Sequence, residues 1–338
     1  NCRKANRHMR ALVTGTSGFV GAAVARRLVA GGHDIRVLMR PTSDRRNIDG
    51  LKAEVVEGDL SQLETLKPAV AGCDAVFHVA ADYRLWVPDG GASMYRANVD
   101  GTRDLIRVAM DSGVGRFVYT SSVAVLGAGH KGDVRDEATR PDESDMVSHY
   151  KRSKFLAEKE VDRLVAEEGA PVVIVNPSAP FGPRDIKPTP TGRIVIDAAK
   201  GRMPAYLDTG LNAVHVDDVA DGHMLAFEKG DIGERYILGG ENLPLRDLIK
   251  IVTDHAGRPG PWLRLPRAPL YPVAWVAEGI ARVTRRDPVV TVDALKMAAH
   301  HMFYSSDKAK QRLGYAPRTA REALTDAVDW YQENGYLK

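Results

Sequence analysis

The sequence predicts an α/β protein built on a doubly wound parallel sheet, with a smaller C-terminal lobe attached. Three observations predict it. Short apolar runs rich in Val, Ile and Phe recur along the first half of the chain; segments of helix length separate them; and after Pro177 the pattern breaks up around Pro180, Pro183, Pro188, Pro190 and Gly192. Strands that alternate with helices pair in parallel through right-handed crossovers, which covers one sheet with helices on both faces.

In chain order, strands are expected at Arg10-Thr14, Ile35-Met39, Glu54-Glu57, Ala75-Val79, Phe117-Thr120 and Val172-Val175. A helix is expected at Gly18-Ala30, apolar on one face and stopped by Gly31-Gly32. Two more follow: Asp100-Met110, running out at Ser112-Gly113, and Asp145-Glu168, stopped by Gly169 and Pro171. Asn212-Glu228 reads as a strand and helix returning to the sheet. Residues 9–177 and about 212–232 are therefore assigned to the sheet domain, and about 178–211 and 233–338 to the lobe. Residues 1–8 are expected to be foreign sequence ahead of a natural start at Met9.

With 338 residues, 44% of them hydrophobic and 27% charged, the chain can bury a full core. Its 47 basic and 44 acidic residues are interspersed, so no basic stripe of the kind that nucleic acid requires is present. The cysteines Cys2 and Cys73 are too few for a disulfide framework or a cysteine metal cluster, which points to a reducing compartment, the cytoplasm. No apolar run approaches the about 20 residues that cross a bilayer. No metal site is expected: His300 and His301 are adjacent and diverge on a helix, while His78 and His215 read as packing or hydrogen-bonding histidines.

Chemistry begins at Val13-Thr14-Gly15-Thr16-Ser17-Gly18-Phe19-Val20-Gly21, where glycines recur every third residue between a strand and a helix. Backbone without side chains admits a pyrophosphate to the helix N-terminus, so a dinucleotide is the expected ligand. At the end of the second strand an acid would hold a ribose 2′-hydroxyl; the residue there is Arg40, which suits a 2′-phosphate. NADP is therefore the expected cofactor and NAD the alternative; stacking of Arg40 on adenine is the competing role. Tyr150 and Lys154 stand four residues apart in a helical segment and leave the same face, and an ammonium beside a phenol lowers its pKa. Ser121-Ser122 end the fifth strand at the edge where such sheets bind ligands.

Together these pieces resemble the extended short-chain dehydrogenase/reductases. The resemblance rests on TGTSGFVG (Thr14-Gly21), GDL (Gly58-Leu60), HVAA (His78-Ala81), NVDGT (Asn98-Thr102), YTSSVAVLG (Tyr119-Gly127), YKRSK (Tyr150-Lys154), NPSAPFGP (Asn176-Pro183) and HVDDVA (His215-Ala220), and extends to the terminal helix. It implies a Rossmann sheet with a substrate lobe. It also implies that Gly15, Ser17, Gly18, Phe19, Val20 and Gly21 cradle the pyrophosphate, with Asp59 and Leu60 by the adenine and Val79, Ala80 and Ala81 along phosphates and ribose. Pro177 and Ser178 would abut the nicotinamide, and Ser121 would also contact the cofactor. Tyr150 would be the acid-base, Lys154 would lower its pKa and hold the ribose, and Ser122 would position the reacting oxygen. Asn98 would be structural.

Two branches of the family use this machinery differently. Dihydroflavonol-4-reductase-like enzymes carry out net hydride transfer at a secondary alcohol or ketone carbon; nucleotide-sugar epimerases oxidise and re-reduce one carbon with a retained NAD. The stretches DYRLW, IKPTPTGR, MPAYLDTGLN and LGGEN resemble the hopanoid-associated sugar epimerases. Yet the asparagine and arginine that grip a sugar diphosphate in such epimerases align with Ala179 and Leu211. The reductase is the expectation, the epimerase the alternative, and a dinucleotide sensor without turnover the second alternative. Tyr83, Trp86, Ser122 and Ala179 are the candidate substrate contacts, although the lobe's aromatics equally suit its core. A homodimer through Asp100-Met110 and Asp145-Glu168, and a peripheral membrane contact at Leu270-Ala277, complete the expectations.

Overall fold

The computed structural model describes residues 8–84, 89–127, 132–146, 148–284 and 292–338. Five strands and their helices lead the chain: β1 (Arg10–Thr14), α1 (Phe19–Ala30), β2 (Asp34–Met39), β3 (Ala53–Glu57), α2 (Leu63–Val70), β4 (Ala75–His78), α3 (Ala92–Tyr95), α4 (Gly101–Asp111) and β5 (Arg116–Thr120). Next come β6 (Val134–Arg135), α5 (His149–Glu168), β7 (Val172–Pro177), β8 (Ala179–Phe181), α6 (Pro190–Ala199), β9 (Ala205–Leu207), β10 (Gly210–His215) and α7 (Val216–Lys229). The chain closes with β11 (Arg235–Leu238), β12 (Glu241–Pro244), α8 (Leu245–His255), β13 (Leu263–Leu265), α9 (Leu270–Thr284), α10 (Val292–Met297), β14 (His301–Tyr304), α11 (Asp307–Leu313) and α12 (Ala320–Glu333).

The large sheet runs β11-β7-β5-β4-β1-β2-β3, every neighbouring pair parallel. Strands buried on both faces read as continuous apolar runs rather than alternating ones. That is why β4, β5 and β7 were visible as short Val/Ile/Phe blocks; their residues are buried almost throughout. One face packs under α1, α7 and α11, the other under α2, α4 and α5. The strand order reverses between β1 and β4, so the crevice beyond their carboxyl ends is the ligand-binding place of such a sheet.

A second sheet, β12-β10-β14-β6 with β8 beside β10, lies under α6, α8 and α12 in the lobe, and β13 pairs with β9. Two stretches cross the expected boundary. Arg235–Leu238, expected in the lobe, forms the edge of the large sheet, because Tyr236, Ile237 and Leu238 bury there against β7. The expected returning strand, β10, instead joins the lobe sheet, and only α7 returns to pack on α1 and β7.

Three local details also differ. The long helix α5 begins at His149, not Asp145, because Ser148 is its N-cap and accepts from the Lys151 amide at 3.3 Å. The helix expected from Asp100 starts at Ala92 and passes through a π-helical turn at Arg96–Asp100 before α4. His301 opens strand β14, so His300 and His301 diverge by leaving a turn for a strand rather than on a helix. Among the described residues no helix is long and apolar enough to cross a membrane.

Candidate active site

The loops after β1 and β4 meet at the reversal point of the sheet. Gly15 has φ of +78°, and a Cβ there would sit 2.7 Å from the Ala80 nitrogen and 2.8 Å from its Cα. A Cβ on Gly21 would fall on the Gly15 carbonyl oxygen. Both glycines are therefore dictated by close backbone approach as well as by conformation. This brings Gly15, Val79, Ala80 and the start of α1 together. Helix α1 has no side-chain cap at Gly18 and no acid in its first turn, so an anion is the natural partner for the amides of Phe19 and Val20. The buried hydroxyls of Thr16 and Ser178, on two loops at the same sheet edge, also lack partners. Uncapped amides and orphaned hydroxyls fit a bound dinucleotide.

Behind the loops lies a directional hydrogen-bond chain. Thr102 Oγ1 donates to the Asn98 carbonyl at 2.7 Å, so it accepts from His78 Nε2 at 3.0 Å. The other ring nitrogen, Nδ1, accepts from Thr14 Oγ1 at 2.8 Å, and Thr14 accepts from the Ala80 amide at 3.1 Å. A neutral imidazole, donor at Nε2 and acceptor at Nδ1, completes this chain. Burial, with the Lys154 charge nearby, pushes the His78 pKa down to about 3. Asn98, as expected, is structural: it accepts from the Asp82 amide at 2.7 Å and donates to the Asp82 carbonyl and to Ser153 Oγ.

Ser122, Tyr150 and Lys154 converge at the carboxyl end of β5. Ser122 caps a short turn, Val123–Leu126, accepting from the Ala124 amide at 3.1 Å. Tyr150 is half-buried on the first turn of α5. Burial raises its pKa, hydrogen bonding with Ser122 pulls the other way, and Tyr83 adds to the rise. The candidate substrate contact Tyr83 thus stands near the phenol. Lys154 is buried, lies 4.6 Å from the Tyr119 ring centroid and donates to the Thr120 carbonyl at 2.7 Å. Desolvation pushes its pKa down to about 7. The expected lowering of the Tyr150 pKa by Lys154 is therefore replaced by a rise, because burial dominates and the ammonium is directed at Thr120.

Three residues that sequence reasoning passed over stand behind Lys154. Glu158, one helical turn further along α5, is buried and opposes the fall in the Lys154 pKa. Its own pKa is raised by burial and drawn back by Arg235. Arg235 on β11 pairs with Glu158 at 2.8 Å and with Asp162 at 2.7 Å. Asn176 on β7 donates to Glu158 Oε2 at 3.0 Å and to the Ser122 carbonyl at 3.2 Å. Ser121 is buried just after β5, and its amide donates to the Val175 carbonyl at 2.8 Å.

The remaining candidates spread along the sheet edge. Arg40 is exposed at the end of β2 and forms no salt bridge among the described residues, although its charge acts on Asp82, whereas its neighbours Arg45 and Arg46 are paired with Glu57 and Asp44. Asp59 takes both the amide and the hydroxyl of Ser61 on Oδ1, and Leu60 packs where a Cβ on Gly101 would lie. Pro177 ends β7 beside Leu238, and Ala179 opens β8. Ser17 is held by Asn47 at 3.0 Å through its carbonyl. Ala81 follows β4, and Trp86 lies outside the described residues.

Known sequences and structures resemble this chain along most of its length. The pattern of the NAD-dependent epimerase/dehydratase family matches residues 11–239. The chain belongs to that family. A relative from Synechocystis named putative dihydroflavonol 4-reductase is 42% identical over 330 residues, covering 96% of this chain and 95% of its own. Sterol demethylase protein B of Methylococcus capsulatus is 33% identical, covering 97% and 100%. The crystal structure of gox2253 has a TM-score of 0.87 at 55% identity, covering 98% of this chain and 100% of that one. A nucleoside-diphosphate-sugar epimerase from Pseudomonas aeruginosa has a TM-score of 0.78 at 27% identity, covering 98% and 100%. As a member of the family the protein is an NAD(P)-dependent enzyme, an oxidoreductase or epimerase of the extended short-chain type.

Proposed function

We propose that the protein is an NADP-dependent ketoreductase that acts on a lipophilic carbonyl compound. The observation that carries this reading is the meeting of Ser122, Tyr150 and Lys154 at the carboxyl end of β5, where the Tyr150 phenol, protonated at neutral pH, lies within reach of Ser122. A protonated phenol donates to a carbonyl oxygen as that oxygen gains charge, which is the direction that reduction needs. Ser122 would hold the oxygen, and Lys154 would hold the ribose and steady the phenol. The dinucleotide, when bound by the glycine loop, supplies the hydride.

Arg40, exposed at the end of β2 and in no salt bridge among the described residues, supports NADP, since a guanidinium binds a phosphate dianion in a fork. Leu211, at the position where sugar epimerases carry an arginine, packs against the lobe core and offers a diphosphate nothing. The Methylococcus relative, whose name refers to sterols, supports a lipophilic substrate class. The epimerase reading has one observation in its favour: Arg193 acts on Tyr83 and so lies near the crevice, where it could meet a phosphate.

The test is to dialyse freshly purified protein, denature it and identify any released nucleotide by mass. An empty site that then binds NADPH better than NADH, or exchangeable NADP, is expected. NAD surviving dialysis at about one per chain would overturn the reductase in favour of an epimerase.

A further inference from the structure

Helix α9 presents an apolar face to solvent. Val273, Trp275, Val276 and Ile280 are 54%, 62%, 63% and 57% exposed, while Ala274 and Ala281 on the opposite side are buried. Helix surfaces normally carry their polar residues outward, and a face inverted in this way marks an interaction site. A second apolar point stands close by in the chain: Trp262 is 74% exposed and Leu263 41%. Only the five-residue step from Leu265 to Leu270, at most about 17 Å, separates its strand from α9.

The charge around this face is one-sided. Among the described residues from Arg258 to Thr284 the sequence holds Arg258, Arg264, Arg267 and Arg282 against a single acid, Glu278. Glu278 is turned to the start of α10, where its Oε1 accepts from the Val292 amide at 2.8 Å. Arg264 is paired with Asp208 at 2.6 Å. The described apolar face therefore carries no acid, and its flanking sequence is basic.

We propose that α9 and the Trp262-Leu263 point form a docking surface for an anionic phospholipid bilayer. Tryptophan and aliphatic side chains would enter the headgroup boundary and flanking arginines would meet lipid phosphates, the arrangement of helices that lie in a membrane surface. A second copy of the chain is the less favoured occupant. From Val273 to Ile280 the helix extends about 10 Å, a face of a few hundred Å² at most, against the about 800 Å² per partner of a stable interface. The inference does not depend on which reaction the active site performs.

Flotation of the full chain with phosphatidylglycerol/phosphatidylcholine vesicles tests it, compared with pure phosphatidylcholine and repeated at high salt. The wild type is expected to float with anionic vesicles, less so at high salt, and the double variant W275S/V276S to bind about tenfold more weakly while keeping its circular dichroism and nucleotide binding. Wild type that stays at the bottom with anionic vesicles, or a double variant that floats equally well, overturns the proposal. So does light scattering that shows a dimer broken by the same double substitution without vesicle binding, since the face would then be a subunit interface.

Discussion

Replacing Glu158 by Gln removes a buried negative charge one helical turn from Lys154 and nothing from the crevice itself. Side chains four residues apart on a helix are about 5–6 Å apart at Cβ. At about 6 Å and an effective dielectric of about 20, opposite charges attract by about 2.8 kcal/mol, or about two pH units of pKa. Lys154 already stands at about 7, so Glu158→Gln is expected to draw it toward about 5. The sign follows from the ammonium being the working form: activity is lost as pH rises through the lysine pKa. At pH 7 the cationic fraction falls from about one half to about one in a hundred, a loss of about 50-fold, and it recovers as pH is lowered toward 5. The assay is kcat/KM from pH 5 to 8 for wild type and variant. Equal loss at every pH would mean that Glu158 only supports the fold, and no loss would refute the electrostatic argument altogether.

Two further outcomes follow from the dinucleotide loop and its flank. Gly15→Ala places a Cβ at positive φ against the Ala80 backbone; conformation costs about 1–2 kcal/mol and overlap about 1–3 kcal/mol, so urea unfolding should show a clear loss of stability and nucleotide titration a matching loss of affinity. An alanine that unfolds and binds like the wild type would mean that the loop relaxes freely. Arg40→Ala should weaken NADPH about 10- to 100-fold and leave NADH unchanged, measured by fluorescence titration; equal loss for both would place Arg40 on the adenine instead.

Much of the large sheet was legible because strands buried on both faces announce themselves as Val/Ile/Phe blocks. The glycine loop and the Tyr150-Lys154 spacing were equally plain, since each is a local pattern with a local cause. What stayed hidden was assembled from distant parts. Glu158, Asn176 and Arg235 lie on α5, β7 and β11, and only the strand order brings them together. The one available signal was the four-residue step from Lys154 to Glu158, which puts both on one helix face. The strand Arg235–Leu238 was missed for a similar reason: four residues after a turn carry too little periodicity to separate an edge strand of one sheet from a strand of the next. The rise in the Tyr150 pKa was out of reach as well, because spacing reveals a neighbouring charge but not how deeply a phenol is buried.

The π-helical turn at Arg96–Asp100 has a consequence for how this chain can change over generations. One residue more than an α-helical turn needs rotates everything beyond it by about 100°. Upstream of that rotation Met94 is buried, and downstream Leu105, Ile106 and Ala109 face the sheet, while Asn98 within it reaches Ser153 on α5. Deleting any one residue between Arg96 and Asp100 would restore a regular helix and swing one half of it a quarter-turn out of register. A single-codon loss is therefore far more damaging here than a point substitution, and length in this turn should be held more tightly than identity.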